Sequence, residues 1–450
     1  MMQVGMPARN QYHRAANTSP VASSDEADAP VRTPSTAFED ALSLGCAFVT
    51  MVAIGHCQYS WTLFVGPFQR VLDASQAEIQ LGFSAFVLMQ TTSVLGLGVL
   101  APNHRQRQVV AFGATCLLAA LQGLAASSSL QMLHASAALM GIGVGAAYSV
   151  CMAISVSVYP AHRGLAAGVV AAGYGAGTLP TIALIEGGTR SLGYAATLRA
   201  LSYGIAGTCL LVALLLPPVR GGHAAADADA DAGSCVKSGA LRPHASAGGA
   251  PARPQLRLVE AACLLSFWTL YVMLVLIAFV GLVVTAQLKP IASSYGIESA
   301  AVVAALQADR VLNGVSRPLW GWLSDVAGRE NALGLAFALQ AAVLLAWSQL
   351  LAERRAFVVC SALSTFSWGE IYSLFPALAA DLYGTEHIGQ TYGALYTGKA
   401  VASLLAGPVS SMIASRSSWE VIVLAMAAAS AVDAFLALVV LKRLLRDEAR

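Results

Sequence analysis

Residues 309–331 read DRVLNGVSRPLWGWLSDVAGREN. The first half has the make-up of the inner part of a membrane-spanning helix, yet it carries Asp309, Arg310 and Arg317; the second half, Ser324–Arg329, reads as a short charged loop at a membrane surface. On a helix the positions i, i+3, i+4 and i+7 share one face. Here they are Arg310, Asn313, Gly314 and Arg317, so one stripe bears two guanidiniums, an amide and a glycine among apolar neighbours. A guanidinium in hydrocarbon costs at least ~2.5 kcal/mol on insertion scales. The stripe must therefore face a bundle interior or a water-filled cavity, and it reads as one wall of an anion pathway.

The rest of the chain supports a membrane setting. Of 450 residues, 57% are hydrophobic and 11% charged, with a mean hydropathy of +0.65, whereas globular domains carry about 25% charged residues. This composition excludes an ordinary soluble protein, and a net charge of +2 is too small to point to nucleic acid. Apolar runs of bilayer-spanning length occur at 41–65, 77–101, 108–126, 131–157, 164–185, 196–216, 259–285, 299–322, 331–350, 356–380, 389–413 and 418–441. The expected fold class is thus an all-α membrane protein with twelve transmembrane helices in two six-helix halves. The domains expected are a disordered tail (1–38), an N-terminal half (39–216), an Ala/Gly/Asp/Pro-rich linker (217–258), a C-terminal half (259–442) and a short tail (443–450). With both termini and the linker inside, sixteen Lys/Arg lie on the cytoplasmic side and six on the other, the bias expected of cytoplasmic loops.

A weak internal repeat lays GLAAGVVAAGY (164–174) on GQTYGALYTGK (389–399), matching Gly164, Gly168 and Gly173 with Gly389, Gly393 and Gly398. Parallel repeats are a transporter architecture, and the spacing of small residues lets helices pack closely. Opposite Tyr174 stands Lys399, about ten residues into its span and too deep to snorkel easily. Gly393, four residues and Gly398-Lys399 nearly fit a phosphate-binding loop, but Ala400 stands where Ser or Thr is needed. Guanidinium grips carboxylate by paired hydrogen bonds and ammonium acts as a point charge, so Arg310, Arg317 and Lys399 around one cavity would suit a small carboxylate anion. Arg310 lies deeper by hydropathy, and Arg317 nearer the cytoplasmic end. Glu370, in STFSWGEIYSLFP, can pair with Lys399 or Arg310 or carry a proton, and Asp309 can pair with Arg310. Tyr59, Tyr148, Tyr174, Trp368, Tyr372 and Tyr396 are pocket-wall candidates, and Gln58 and Gln80 are polar residues inside spans. Eight cysteines without metal-ligand spacing read as small apolar side chains. No cofactor or metal is expected, and no motif for covalent catalysis is found.

QYSWTLF (58–64), RGLAAGVVAAGYGAGTLP (163–180), NGVSRPLWGWLSD (313–325), WGEIYSLFPA (368–377) and YGALYTGKAVAS (392–403) together resemble a major facilitator superfamily transporter of the oxalate:formate antiporter group and its monocarboxylate-transporter relatives. The resemblance covers about 41–442. It implies that the helix-8 arginine before a proline, Arg317, and the helix-11 lysine, Lys399, contact substrate carboxylates, with Gln58, Tyr59, Gln80, Tyr148, Tyr174, Trp368 and Tyr372 lining the pocket and Arg310 secondary. It also implies a gating loop at SDVAGRE, with Asp325 and Arg329, whereas loop 2–3 has PNHRQRQ instead of the superfamily's Asp-Arg-x-Gly-type run. The implied function is non-enzymatic alternating-access exchange of oxalate-, formate- or monocarboxylate-like anions across a plasma or bacterial inner membrane. The alternatives are proton-coupled symport through Glu370 and a non-transporting sensor on the same fold. Oligomeric state is left open.

Overall fold

The computed structural model describes residues 34–100, 105–159, 163–179, 181–217, 255–384 and 387–448. Most of the expected tail and linker, and part of loop 2–3, lie outside them. Leu42–Arg450 forms one compact unit that holds the whole candidate site, and the residues before it form another. All regular structure among the described residues is helical. The N-terminal portion contains α1 (Pro34–Tyr59), α2 (Trp61–Leu72), α3 (Gln76–Leu100), α4 (Gln106–Ala125), α5 (Leu130–Val158), α6 (Arg163–Ala176), α7 (Ile182–Ser191) and α8 (Tyr194–Leu215). After the short α9 (Leu258–Ala261) come α10 (Leu265–Ser294), α11 (Ser299–Ala327), α12 (Arg329–Gln349), α13 (Arg354–Trp368), α14 (Leu374–Tyr383), α15 (Ile388–Tyr396), α16 (Gly398–Leu404), α17 (Ser410–Arg416), α18 (Trp419–Phe435) and α19 (Lys442–Glu448).

Eight helical stretches among the described residues are long and apolar enough to cross a membrane: 38–72, 76–97, 106–125, 130–158, 194–215, 265–294, 329–349 and 419–446. The other four expected spans depart from that pattern for a physical reason. The run at 164–185 is broken by a turn after Ala176, and 356–380 by a 3-10 turn at Gly369–Tyr372. The run at 389–413 breaks at Thr397 and again at a π-helical segment, Leu405–Val409, that contains Pro408. Proline has no N–H to donate, so the ladder must be redrawn around it. Over 299–322, α11 is continuous but too charged to count as simply apolar. In hydrocarbon a broken helix is tolerated only where the freed backbone groups are buried in protein or line a cavity; these are the segments that carry the site. Large apolar side chains such as Leu184, Leu214, Leu335 and Val359 are exposed on the outside, a surface that water would penalise and lipid would not.

The closest packings are α3 on α5, α4 on α5 and α8, α12 on α18, and α11 on α13; α6 packs on α11, and α3 meets α15 and α16. Two of these contacts are backbone to backbone because glycine permits it. A Cβ on Gly145 of α5 would lie 3.2 Å from the Gln90 carbonyl carbon of α3, and one on Gly168 of α6 would lie 2.8 Å from the Pro318 Cα of α11. The second approach sets Arg317 directly against α6.

Candidate functional site

Three helices converge on Arg317, which is fully buried. Its Nε donates to Asn313 Oδ1 at 2.9 Å, one turn back on α11. Its Nη1 donates to the Ala171 carbonyl of α6 at 2.5 Å and its Nη2 to the Tyr59 hydroxyl of α1 at 2.9 Å. The guanidinium also lies over the Tyr372 ring, its Cζ 4.1 Å from the centroid. The sequence places it for this: Pro318 and Gly168 bring the two backbones together, and Gly175 leaves room beside the guanidinium, where a Cβ would fall 3.0 Å from Cζ.

Lys399 is equally buried and comes from α16, immediately after the break at Thr397. Its ammonium donates to Gln58 Oε1 (2.8 Å), Gln90 Oε1 (3.1 Å) and Tyr396 Oη (3.1 Å). Gln90 Nε2 donates to Tyr174 Oη at 3.1 Å, and Tyr174 donates to Gln58 Oε1 at 3.0 Å. Two amides and two phenols therefore form a closed cage around the ammonium. Lys399 Nζ is 5.6 Å from the centroid of the same Tyr372 ring that Arg317 covers, which puts the two charges within about 10 Å of each other. The remaining wall is aromatic. Tyr148 stacks on Tyr396 at 5.3 Å, Tyr174 meets Tyr59 and Tyr148 edge-on, and Trp368 packs edge-on to Tyr59 and Tyr372.

Arg310 is the third cation, 2% exposed, its Cζ 4.0 Å from the Tyr59 centroid. Its Nε and Nη1 have no hydrogen-bond partner. The carboxylates of Glu370 and Asp433 are buried and likewise lack partners, and that of Asp309 lies toward Ser361, whose hydroxyl is already bonded to the Val358 carbonyl. Among the described residues no carboxylate forms an ion pair with Arg310, Arg317 or Lys399. Burying an uncompensated ion costs several kcal/mol. Arg317 and Lys399, held by neutral acceptors and π faces, thus form an arrangement that an anion would relieve, with Asp309 and Glu370 within electrostatic reach of Arg310 and Arg317.

Contacts close the body beyond both ends of this cluster. At one end Arg329 pairs with Asp325 (2.5 Å) and Asp381 (3.1 Å), Arg163 stands 4.0 Å from Asp381, and Asp325 accepts from the Leu165 amide at 3.2 Å. At the other end the seal is uncharged. Gln76 donates to Gln287 (2.8 Å), Gln80 to the Ala286 carbonyl (3.0 Å), Ser84 to the Ser403 carbonyl (3.0 Å), and Gln287 to the Gly407 carbonyl (2.8 Å). Partly exposed ion pairs gain strength when networked, and salt screens them. Asp325→Asn is expected to weaken its end alone, lowering the closed population roughly fivefold or more. Amide hydrogen exchange should then speed up over 163–168 and 381–384 and stay unchanged at Gln76–Ser84; unchanged exchange at the first set would show that the pairs do not hold that end.

Of the residues singled out from sequence, Gln58, Tyr59, Tyr148, Tyr174, Arg310, Arg317, Trp368, Tyr372, Tyr396 and Lys399 form one contiguous cluster. Gln80 does not join it: ten residues before Gln90 on α3, about 15 Å along the helix, it belongs to the uncharged seal. Sequence reasoning missed Gln90, the amide that does reach Lys399. The available signal was an amide inside an apolar run, the same signal that had marked Gln58 and Gln80. It also missed Asp433 on α18 and the Arg163–Asp381 contact. Asp325 and Arg329 do lie in the charged end-contact, with Asp381 as the additional partner.

A family model, the Major Facilitator Superfamily, matches residues 44–397 and, overlapping, 311–450. An oxalate:formate antiporter of Oxalobacter formigenes is 29% identical over 404 residues, covering 88% of this chain and 90% of that one. An uncharacterized MFS-type transporter of Escherichia coli strain K12, YhjX, is 23% identical over 367 residues, 81% and 85% of the two chains. Among solved structures, the human organic anion transporter MFSD10 superposes with a TM-score of 0.59 at 15% identity, over 90% of this chain and all of that one, a likeness of fold alone.

Proposed function

Because the chain belongs to the major facilitator superfamily, we propose that it is a non-enzymatic carrier that exchanges small carboxylate anions across a membrane by alternating access. The observation that carries this reading is the pair of buried cations, Arg317 and Lys399, which flank one tyrosine ring and lack any carboxylate partner among the described residues. The relative from Oxalobacter formigenes, named for oxalate and formate, supports the substrate class. In this reading the twelve expected spans cross the bilayer as two six-helix halves joined by 217–258, with both termini cytoplasmic and the Asp325–Arg329–Asp381 contacts at the cytoplasmic end. The site then lies between the halves, since Tyr59, Ala171 and Gln58 come from one and Arg317 and Lys399 from the other.

Exchange follows from the electrostatics. With both ends shut and water excluded, each cation–carboxylate contact strengthens as the effective dielectric falls. A loaded carrier reorients with its charges compensated, whereas an empty one must carry bare buried cations through the same closure. Uptake of labelled oxalate, formate, lactate and pyruvate into proteoliposomes is therefore expected to need an internal anion and no proton gradient. A second reading rests on Glu370, a buried carboxyl whose two oxygens have no hydrogen-bond partner: if it took up a proton, uptake into empty vesicles would follow the gradient. Saturable binding without flux would make the chain a sensor and defeat both.

A further inference from the structure

The donors around the cluster are unequally engaged. Lys399 has three hydrogen bonds for its three N–H groups, and Arg317 has one from each nitrogen. Arg310, seven residues before Arg317 on the same face of α11, has none at Nε or Nη1. One turn on, Asn313 uses Oδ1 to hold Arg317 and leaves Nδ2 without an acceptor. Trp368, edge-on to the Tyr59 ring that Arg310 covers, also has an unpartnered Nε1–H, on the part of the indole that lies against Gly281 of α10. These three side chains are at least 98% buried from bulk solvent. Leaving a buried donor unsatisfied costs about 1–3 kcal/mol, and more for a charged group. A guanidinium fork with unengaged N–H groups, one turn from an unengaged amide on the same helix face, is complementary to an acceptor-rich anionic group.

Arg317 and Lys399 flank the Tyr372 ring with their charges within about 10 Å of each other. The Arg310 group extends the same site along α11 by up to seven residues, about 10 Å of helix rise. We propose that Arg310, with the Asn313 amide, forms a separate subsite that takes the second carboxylate of a three- or four-carbon dicarboxylate whose first carboxylate rests on Arg317 and Lys399. This inference rests on the anion-carrier reading above and adds a specificity-determining residue to it. Asp309, the acid nearest in sequence, is the competing explanation: Arg310 would then be one partner of a structural pair.

The test is substrate selectivity of the full chain in proteoliposomes, with formate, oxalate, malonate and succinate as probes, alongside thermal unfolding of the purified protein. Arg310→Gln removes the charge and the fork. Malonate and succinate exchange should fall roughly ten- to hundredfold, the loss of one charge-assisted pair, so that the succinate-to-formate rate ratio drops at least about tenfold whatever the change in formate exchange itself. Arg310→Lys should recover part of the succinate rate. Removal of an unpaired buried cation should also leave the unliganded protein at least as stable, with the stabilisation by succinate lost. A structural pair with Asp309 predicts the reverse: lower stability without ligand and an unchanged succinate-to-formate ratio. That result, or an equal fall for all four anions, overturns the proposal. Wild-type protein that moves formate or oxalate but neither longer dicarboxylate overturns it while leaving the carrier reading intact; wild-type protein that moves none of the four defeats both.

Discussion

Lys399→Gln is expected to abolish exchange, lowering the initial rate in proteoliposomes by at least about 100-fold, while the protein still inserts and unfolds at a temperature no lower than wild type. The argument starts from what the ammonium touches. Its three hydrogens are held by Gln58, Gln90 and Tyr396, and it is fully buried. Glutamine keeps a donor of similar reach, so the cage retains a polar partner, and the cost of burying an unpaired charge disappears. What is lost is the cation that a carboxylate would meet in a dry site. Removing one member of a buried, hydrogen-bonded charge pair typically costs 2–5 kcal/mol, and a 100-fold loss corresponds to about 2.7 kcal/mol, within that range. Rates would be normalised to inserted protein and compared with thermal unfolding. A normally inserted variant that exchanges at near wild-type rate would remove Lys399 from the site.

How much of this was readable from sequence depended on which physical quantity a residue violated. Arg317 and Lys399 stood out because a charge inside an apolar run breaks a strong local rule, and that rule needs no knowledge of partners. The amides break a weaker rule and break it equally at Gln58, Gln80 and Gln90; only the helix packing decides that Gln90 faces Lys399 while Gln80 seals one end. The interruptions at Gly369–Tyr372 and Leu405–Val409 were hidden for a related reason. Hydropathy measures how apolar a run is and is blind to its hydrogen-bond pattern, so 356–380 and 389–413 read as continuous spans. The hints, Gly369, Gly398 and Pro408, were present but also fit close helix packing. Asp381 was invisible because its meaning comes from Arg163 and Arg329, more than fifty residues away on either count.

Arg317→Lys, which preserves the charge, is expected to be nearly as damaging as Lys399→Gln, and this separates geometry from charge. The guanidinium directs three nitrogens to three elements at once: Asn313 on its own helix, the Ala171 carbonyl on α6 and the Tyr59 hydroxyl on α1. A lysine ammonium ends a shorter, round-headed side chain. It can reach one of these acceptors well, and it cannot lie flat over Tyr372 as the guanidinium does at 4.1 Å. Asn313 Oδ1 and the Ala171 carbonyl would then be buried with weakened partners, at about 1–3 kcal/mol for each group left unsatisfied. The closed arrangement should suffer as well, because two of the three bonds tie α11 to α1 and α6. The expected result is a loss of exchange of at least about 100-fold together with a lowered unfolding temperature, whereas Lys399→Gln loses exchange without that thermal cost. Measuring both variants side by side decides the matter: if Arg317→Lys exchanges anions within a few-fold of wild type, positive charge alone suffices at that position, and the directional role assigned to the guanidinium is wrong.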